Sequence, residues 1–112
     1  MTVKSDDYGH ICVLEIHGDF TSETAQILRK TVQERVDNRR IVDFVVDFGK
    51  CGFVDSEGLE TLLWIKRTSE EMFGRVKLSQ LDEHCRKILE MTRLDHRFEC
   101  CDDLADAMKN MQ

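Results

Sequence analysis

Nucleophilic and metal-ligating side chains are present in this chain but scattered. Five cysteines, Cys12, Cys51, Cys85, Cys100 and Cys101, are odd in number and irregular in spacing. No Cys-x-x-Cys occurs among them, so neither a disulfide framework nor a zinc ribbon or thioredoxin-like site is expected. Cys12 and Cys85 sit among apolar residues and read as small core residues. Cys100-Cys101 is a vicinal pair for which a redox or soft-metal role is conceivable; the plainer reading is a strand end carrying two small residues. His10, His17, His84 and His96 show no arrangement that selects one of them as a base for a nucleophile.

The densest run of chemically suggestive residues is Gly49-Lys50-Cys51-Gly52-Phe53-Val54-Asp55-Ser56-Glu57-Gly58-Leu59. Its Gly-Lys lacks the spacer from an earlier Gly and the following Ser or Thr of a phosphate-binding P-loop. Its Ser56 lacks the preceding Gly of a nucleophile elbow, because Val54 stands there. No catalytic residue and no metal ligand set is therefore expected. Ser56 reads better as a hydroxyl at a helix start, where unpaired backbone N–H groups and the helix dipole accommodate negative charge. A phosphate on Ser56 would add a charge of about −1.5 to −2 between Asp55 and Glu57, enough to repel an acidic partner surface. The alternative is that Asp55 or Ser56 simply caps the helix.

The elements that must position this segment follow from hydrophobic periodicity. Ile11-Cys12-Val13-Leu14-Glu15-Ile16 is apolar on both alternating faces, as in a strand covered on both sides, and Gly18 is expected to end it. Residues 22–36 place Ala25, Leu28, Val32 and Val36 at helical spacing, with Thr21 or Ser22 as cap, Glu23 in the first turn, and Asp37-Asn38 closing the helix. Residues 41–48 form a β-branched run suited to a central strand, and 49–55 a short loop. A helix follows over about 56–71, with Leu59, Leu62 and Leu63 on one face and Gly74 as its stop. Residues 75–81 alternate, with Val76 and Leu78 inward and Lys77 and Ser79 outward. Asp82 then caps a helix carrying Cys85, Ile88 and Leu89, residues 98–100 form a short strand, and 102–111 a last helix. Residues 2–5 are expected to add an antiparallel edge strand through a turn at Asp7-Tyr8-Gly9. Strands alternating with helices predict an α/β fold with parallel neighbours.

With 112 residues the chain suffices for one domain, spanning 1–112. Lys and Arg number 16 against 22 Asp and Glu, for a net charge of −6. No concentrated basic run occurs, which argues against nucleic acid or anionic lipid as a partner. The first residues carry no apolar stretch resembling a secretory signal, and no window suits a membrane span; the expected compartment is the cytoplasm.

At the Ser56 segment the sequence becomes familiar. Phe53-Val54-Asp55-Ser56-Glu57-Gly58-Leu59 after a Val/Asp/Phe strand resembles the Asp-Ser-x-Gly-Leu signature of STAS domains, and most closely that of the stand-alone bacterial anti-sigma factor antagonists. Ile16-His17-Gly18-Asp19-Phe20 is similar to the family's strand-Gly-Glu-Leu-Asp segment. Met91-Thr92-Arg93-Leu94-Asp95-His96-Arg97-Phe98 is similar to its Leu-Thr-Gly-Leu-x-x-x-Phe segment, and Asp106-Ala107-Met108 falls where Glu-Ala-Leu is usual. Three departures stand out: Thr21 replaces a common Asp, Glu57 a frequent second Ser or Thr, and Arg93 a common Gly.

The resemblance implies a STAS-like mixed β-sheet of four to five strands with about four packed α-helices, no enzymatic activity and no bound cofactor. It implies binding to an anti-sigma factor serine kinase, which frees a sigma factor. Phosphorylation would fall on Ser56 and weaken the complex, and a phosphatase acting on phospho-Ser56 would restore it. The implied partner surface comprises Thr21, Ser22, Glu23, Asp55, Ser56, Glu57 and Gly58, on a monomer or weak dimer with no membrane insertion. An alternative within the same family is a non-switching scaffold subunit of a lipid transporter or stress-sensing assembly.

Overall fold

The two long apolar runs become neighbouring parallel strands in the middle of a five-stranded mixed sheet. The computed structural model describes residues 2–109 and 111. In chain order it contains β1 (Val3–Tyr8), β2 (Ile11–Phe20), α1 (Ser22–Arg39), β3 (Asp43–Val54), α2 (Ser56–Glu71), β4 (Val76–Ser79), α3 (Glu83–Met91), β5 (Glu99–Cys101) and α4 (Leu104–Lys109). The strands lie in sequential order, β1 antiparallel to β2 and every later pair parallel. The expectation of an α/β fold with a mixed sheet and four packed helices is met.

Because each crossover adds its strand on the same side of the last, crossovers of one hand place α1, α2 and α3 on one face of the sheet. There Cys12, Leu14 and Ile16 of β2, with Phe44, Val46 and Phe48 of β3, pack against Leu28 and Val32 of α1, Leu62 and Ile65 of α2, and Cys85 and Leu89 of α3. The alternate residues Ile11, Val13 and Val45 form a smaller core with Ala107 and Met111, under α4. Coverage on both sides is why β2 reads as a continuous apolar run. Outside the sheet, α1 and α2 meet where the Arg29 guanidinium lies 5.1 Å from the centre of the Trp64 ring.

Several boundaries differ from expectation for physical reasons. The edge strand is longer, β1 pairing Val3 with Ile16 through Tyr8 with Ile11, so the turn falls on Gly9-His10, with Gly9 at φ 65°. Gly18 does not end β2; it takes φ 85° at an irregularity in the ladder, and the strand runs on to Phe20. That extension supplies a partner for residues 49–54, which are strand and not loop: His17 pairs with Lys50, Gly18 with Cys51 and Phe20 with Val54. Helix α1 continues past Asp37-Asn38 to Arg39 and closes on Arg40 at φ 53°. Lys77 and Ser79 do not face water, because α4 covers that side of β4. Lys77 is 1% exposed and its Nζ lies 3.1 Å from Glu99 Oε2. The short last strand sits one residue later than expected. Helix α4 begins at Leu104, with the Asp106 N–H donating to Asp103 Oδ1; Asn110, inside the expected helix, lies outside the described residues.

Helices α2 and α3 end alike. At the first, the Phe73 N–H donates to the Glu70 carbonyl and the Gly74 N–H to the Ser69 carbonyl; at the second, Arg93 donates to Glu90 and Leu94 to Leu89. In each the residue in the left-handed conformation is not glycine: Phe73 has φ 62° and Arg93 φ 60°. Arg93 thus occupies a backbone position that glycine takes at least cost, where the family resemblance has its common Gly. Gly74 is the stop the sequence indicated, but for a steric reason: a Cβ there would stand 2.1 Å from the Val42 carbonyl oxygen.

Candidate functional site: the paired helix starts at Ser22 and Ser56

Helices α1 and α2 begin side by side at the carboxyl ends of two parallel strands, the end of an α/β sheet where sites gather. Phe20 and Val54 are paired residues. One residue further, the Asp55 N–H donates to the Phe20 carbonyl at 3.2 Å. Thr21 and Asp55 are therefore neighbouring N-caps, and the two segments singled out in the sequence, Thr21-Ser22-Glu23 and Asp55-Ser56-Glu57-Gly58, converge.

Each residue of the second segment has a distinct physical task. Asp55 is extended at φ −100° and its Oδ1 accepts the Gly58 N–H at 3.0 Å, so the carboxylate caps the helix. Ser56, first residue of α2, is exposed, and its hydroxyl makes no hydrogen bond among the described residues. Glu57 is also exposed and stands in the first turn, where the dipole favours its charge. Gly58 is buried: a Cβ would lie 2.6 Å from the Phe20 carbonyl oxygen and 2.9 Å from Val54 Cγ1. Its missing side chain lets α2 start directly on the end of β2. The Asp-Ser-x-Gly pattern thus reads as cap, free hydroxyl, spacer and close contact.

The first segment is built differently. Thr21 is the α1 N-cap in extended conformation, but its side chain makes no capping bond; instead the Thr24 hydroxyl donates to the Asp19 carbonyl at 2.9 Å. Thr21 thus holds the N-cap position expected from sequence without the side-chain bond, and Ser22 is the first residue of the helix. Ser22 and Glu23 are exposed. With Asp19, Glu23, Asp55 and Glu57 all at this end of the sheet, the rim around Ser56 is acidic.

A family model described as Mlab, STAS domain matches residues 4–105. The chain belongs to the STAS family. Solved structures agree in fold. An anti-sigma factor antagonist from Mycobacterium paratuberculosis superposes with a TM-score of 0.84 at 22% identity, over 98% of this chain and 92% of that one. The Bacillus cell fate determinant SpoIIAA in its phosphorylated form gives 0.80 at 16% identity, over 98% and 99% of the respective chains. A sulfate transporter family protein from Wolinella succinogenes gives 0.79 at 16% identity, over 91% and 84%.

The STAS frame also brings to this pole residues that sequence reasoning passed over. Phe53 is 45% exposed, and its ring centre lies 6.3 Å from that of His84 at the start of α3. The α3 cap Asp82 accepts the Cys85 N–H at 2.8 Å, and that hydrogen bond holds its carboxyl below the usual range. Three capped or extended helix starts thus share one end of the STAS sheet. Phe53 falls within the register shift between the Gly18–Cys51 and Phe20–Val54 pairs, where simple strand alternation does not say which way a residue faces.

The other reactive residues of this STAS domain lie apart. The His10 ring nitrogen contacts the Met111 carbonyl and lies 3.6 Å from Asp43 Oδ2. His17 Nε2 is 2.5 Å from Glu15 Oε1, and His96 Nε2 is 3.6 Å from Asp95 Oδ2. Cys12 and Cys85 are core residues whose thiols burial pushes up to about 12. Cys100 joins the core beneath the three helices and Cys101 the core beneath α4. Adjacent strand residues point to opposite faces, so the vicinal pair is split by the sheet. Burial also raises both of these thiols, which disfavours thiolate chemistry. Among the described residues no helix is long and apolar enough to cross a membrane.

Proposed function

We propose that this STAS domain is an anti-sigma factor antagonist that binds an anti-sigma factor serine kinase and is switched by phosphorylation of Ser56. The observation that carries the reading is the division of labour at the start of α2. Asp55 caps the helix, so the Ser56 hydroxyl is spared from any structural duty and stands exposed at the helix N-terminus. In the transfer, Ser56 Oγ gives its proton to a base of the partner kinase and bonds the terminal phosphorus of the partner's ATP, and ADP leaves. Unpaired N–H groups of the first turn accommodate the new charge without unfolding α2. The same charge joins Asp19, Glu23, Asp55 and Glu57, and the enlarged negative field drives off a partner that tolerated the unmodified surface. Thr21, Ser22, Glu23, Asp55 and Glu57 form the contact area, Gly58 lies buried beneath it and serves only to seat the helix, and a phosphatase reverses the switch. The chain itself carries no catalytic group in this scheme, and the compartment is cytoplasmic.

Glu57 favours a second reading. It places a permanent carboxylate beside Ser56, and the matching family model is described as Mlab, STAS domain. In this reading the module is a non-switching scaffold subunit beside a transporter ATPase, using the same pole.

The experiment is affinity capture of the tagged chain and its Ser56→Ala and Ser56→Asp variants from the native host, with mass spectrometry of partner and bait. The switch predicts a captured serine kinase, phosphate on Ser56 of the parent, retained capture by Ser56→Ala and reduced capture by Ser56→Asp. A transporter ATPase captured equally by all three, with Ser56 unmodified, supports the scaffold and overturns the switch.

A further inference from the structure

The pole opposite Ser56 carries a surface that neither the fold nor the proposed switch uses. At the end of α2, Phe73 is held at φ 62° and is 97% exposed, next to half-exposed Met72. Glycine would take this backbone conformation more cheaply, by about 1 kcal/mol. The glycine stands one position later, fixed there by its contact with Val42. Phe73 thus combines a disfavoured conformation, offset by the hydrogen bonds that close the helix end, with a wholly solvated aromatic ring that no described residue covers.

Beside it, the last turns of α1 and α2 enclose an open groove of about 580 Å³. Val36, Trp64 and Met72 supply its apolar lining, and Asp37, Arg40 and Glu71 its charged lining. Volumes of this order seat drug-sized ligands, so one phenyl ring enters easily. Arg40 and Glu71 have no ion-pair partner among the described residues. A two-fold contact requires one patch to carry both halves of the fit, and this patch holds a protruding ring, a groove and unpaired charges of both signs.

We propose that the chain self-associates through this pole, Phe73 of each copy entering the Trp64 groove of the other and Arg40 facing the partner copy's Glu71. The 16 residues of α2 separate the contact from Ser56 by about 24 Å. The dimer therefore leaves both Ser56 surfaces open, and the inference stands whether or not Ser56 is phosphorylated.

The test is sedimentation velocity of the full chain from micromolar to millimolar concentration, with Trp64 emission recorded in parallel; Trp64 is the only tryptophan. The mass should rise toward that of two chains as concentration increases, with a shift in Trp64 emission. Phe73→Gly should weaken association by at least about tenfold, as loss of a buried aromatic anchor does. Its melting temperature should equal or exceed the parent's, because glycine suits φ 62° at this position. Arg40→Glu and Glu71→Arg should each weaken association and their combination restore it. A parent chain that stays monomeric at millimolar concentration, or a Phe73→Gly variant that associates like the parent, overturns the proposal.

Discussion

The carbonyl oxygen of Phe20 lies 2.6 Å from where a Cβ of Gly58 would stand, so the last residue of β2 and the first turn of α2 touch through a missing side chain. This contact seats the start of α2 on the sheet and aims Ser56 outward. It also couples the two helix starts, since the same Phe20 carbonyl accepts the Asp55 N–H.

Gly58→Ala should therefore destabilise the fold although alanine is the better helix former. The propensity gain is about 1 kcal/mol. The contacts at 2.6 Å to backbone and 2.9 Å to Val54 Cγ1 allow no rotamer escape, and overpacking of this kind costs about 1–3 kcal/mol. The expected result is a net loss of up to about 2 kcal/mol in urea denaturation. A variant as stable as the parent would show that α2 shifts freely on β2.

Lys77 and Glu99 make a second case. Lys77 is fully buried beneath α4, whereas the Glu99 side chain is about half exposed. Replacing a buried charge by an apolar isostere removes its desolvation cost, while removing only its partner strands the charge. Lys77→Met should stay within about 1 kcal/mol of the parent or exceed it. Glu99→Ala should lose about 1–2 kcal/mol, a figure reduced for water reaching Glu99 and for Arg75, 3.9 Å from it. The order of the two denaturation midpoints is the check: Lys77→Met below Glu99→Ala contradicts the account.

Stability should fall in acid partly through Asp7. Burial by itself would raise its carboxyl pKa, but hydrogen bonds and charge from Arg35, with the charge of Arg39, outweigh burial and leave it below the ordinary 3.8. Arg35 Nε and an Arg39 guanidinium nitrogen each donate to the carboxylate at 3.0 Å, tying β1 to α1. A depressed carboxyl contributes stability that is complete above the unfolded value and disappears as pH falls through the folded one. Asp7→Asn should thus be less stable than the parent near neutral pH, the gap closing as pH drops below 3.8. Glu15, lowered chiefly by its hydrogen bond with His17, and Asp82 titrate in the same direction. Thermal melts of parent and variant across this range give the difference free of those two; a constant gap would assign Asp7 no part.

Local patterning was enough to place most elements. The double-faced apolar run at 11–16, the start of α2 after Asp55 and the Asp82 cap follow from short-range chemistry that any fold would have to respect. So does the Asp-Ser part of the Asp-Ser-x-Gly spacing, whose cap and free hydroxyl are set within one helical turn, whereas its Gly answers to the contact with Phe20. That is why the STAS resemblance was legible in Phe53-Val54-Asp55-Ser56-Glu57-Gly58-Leu59. What tertiary structure decided depended on partners distant in the chain. Residues 49–54, with two glycines and a lysine, are strand only because β2 runs past Gly18 to pair with them, and that pairing brings Phe53 beside His84. Lys77 looked solvated by alternation and is buried because α4, some thirty residues later, lies across it. Gly74 marked the end of α2, but the contact with Val42 claims that glycine, and the left-handed turn falls to Phe73. Hydrogen-bond caps and periodicity act over a few residues and can be read in order; strand extension, face coverage and close backbone approach are relations between segments, and only the assembled fold supplies the second member.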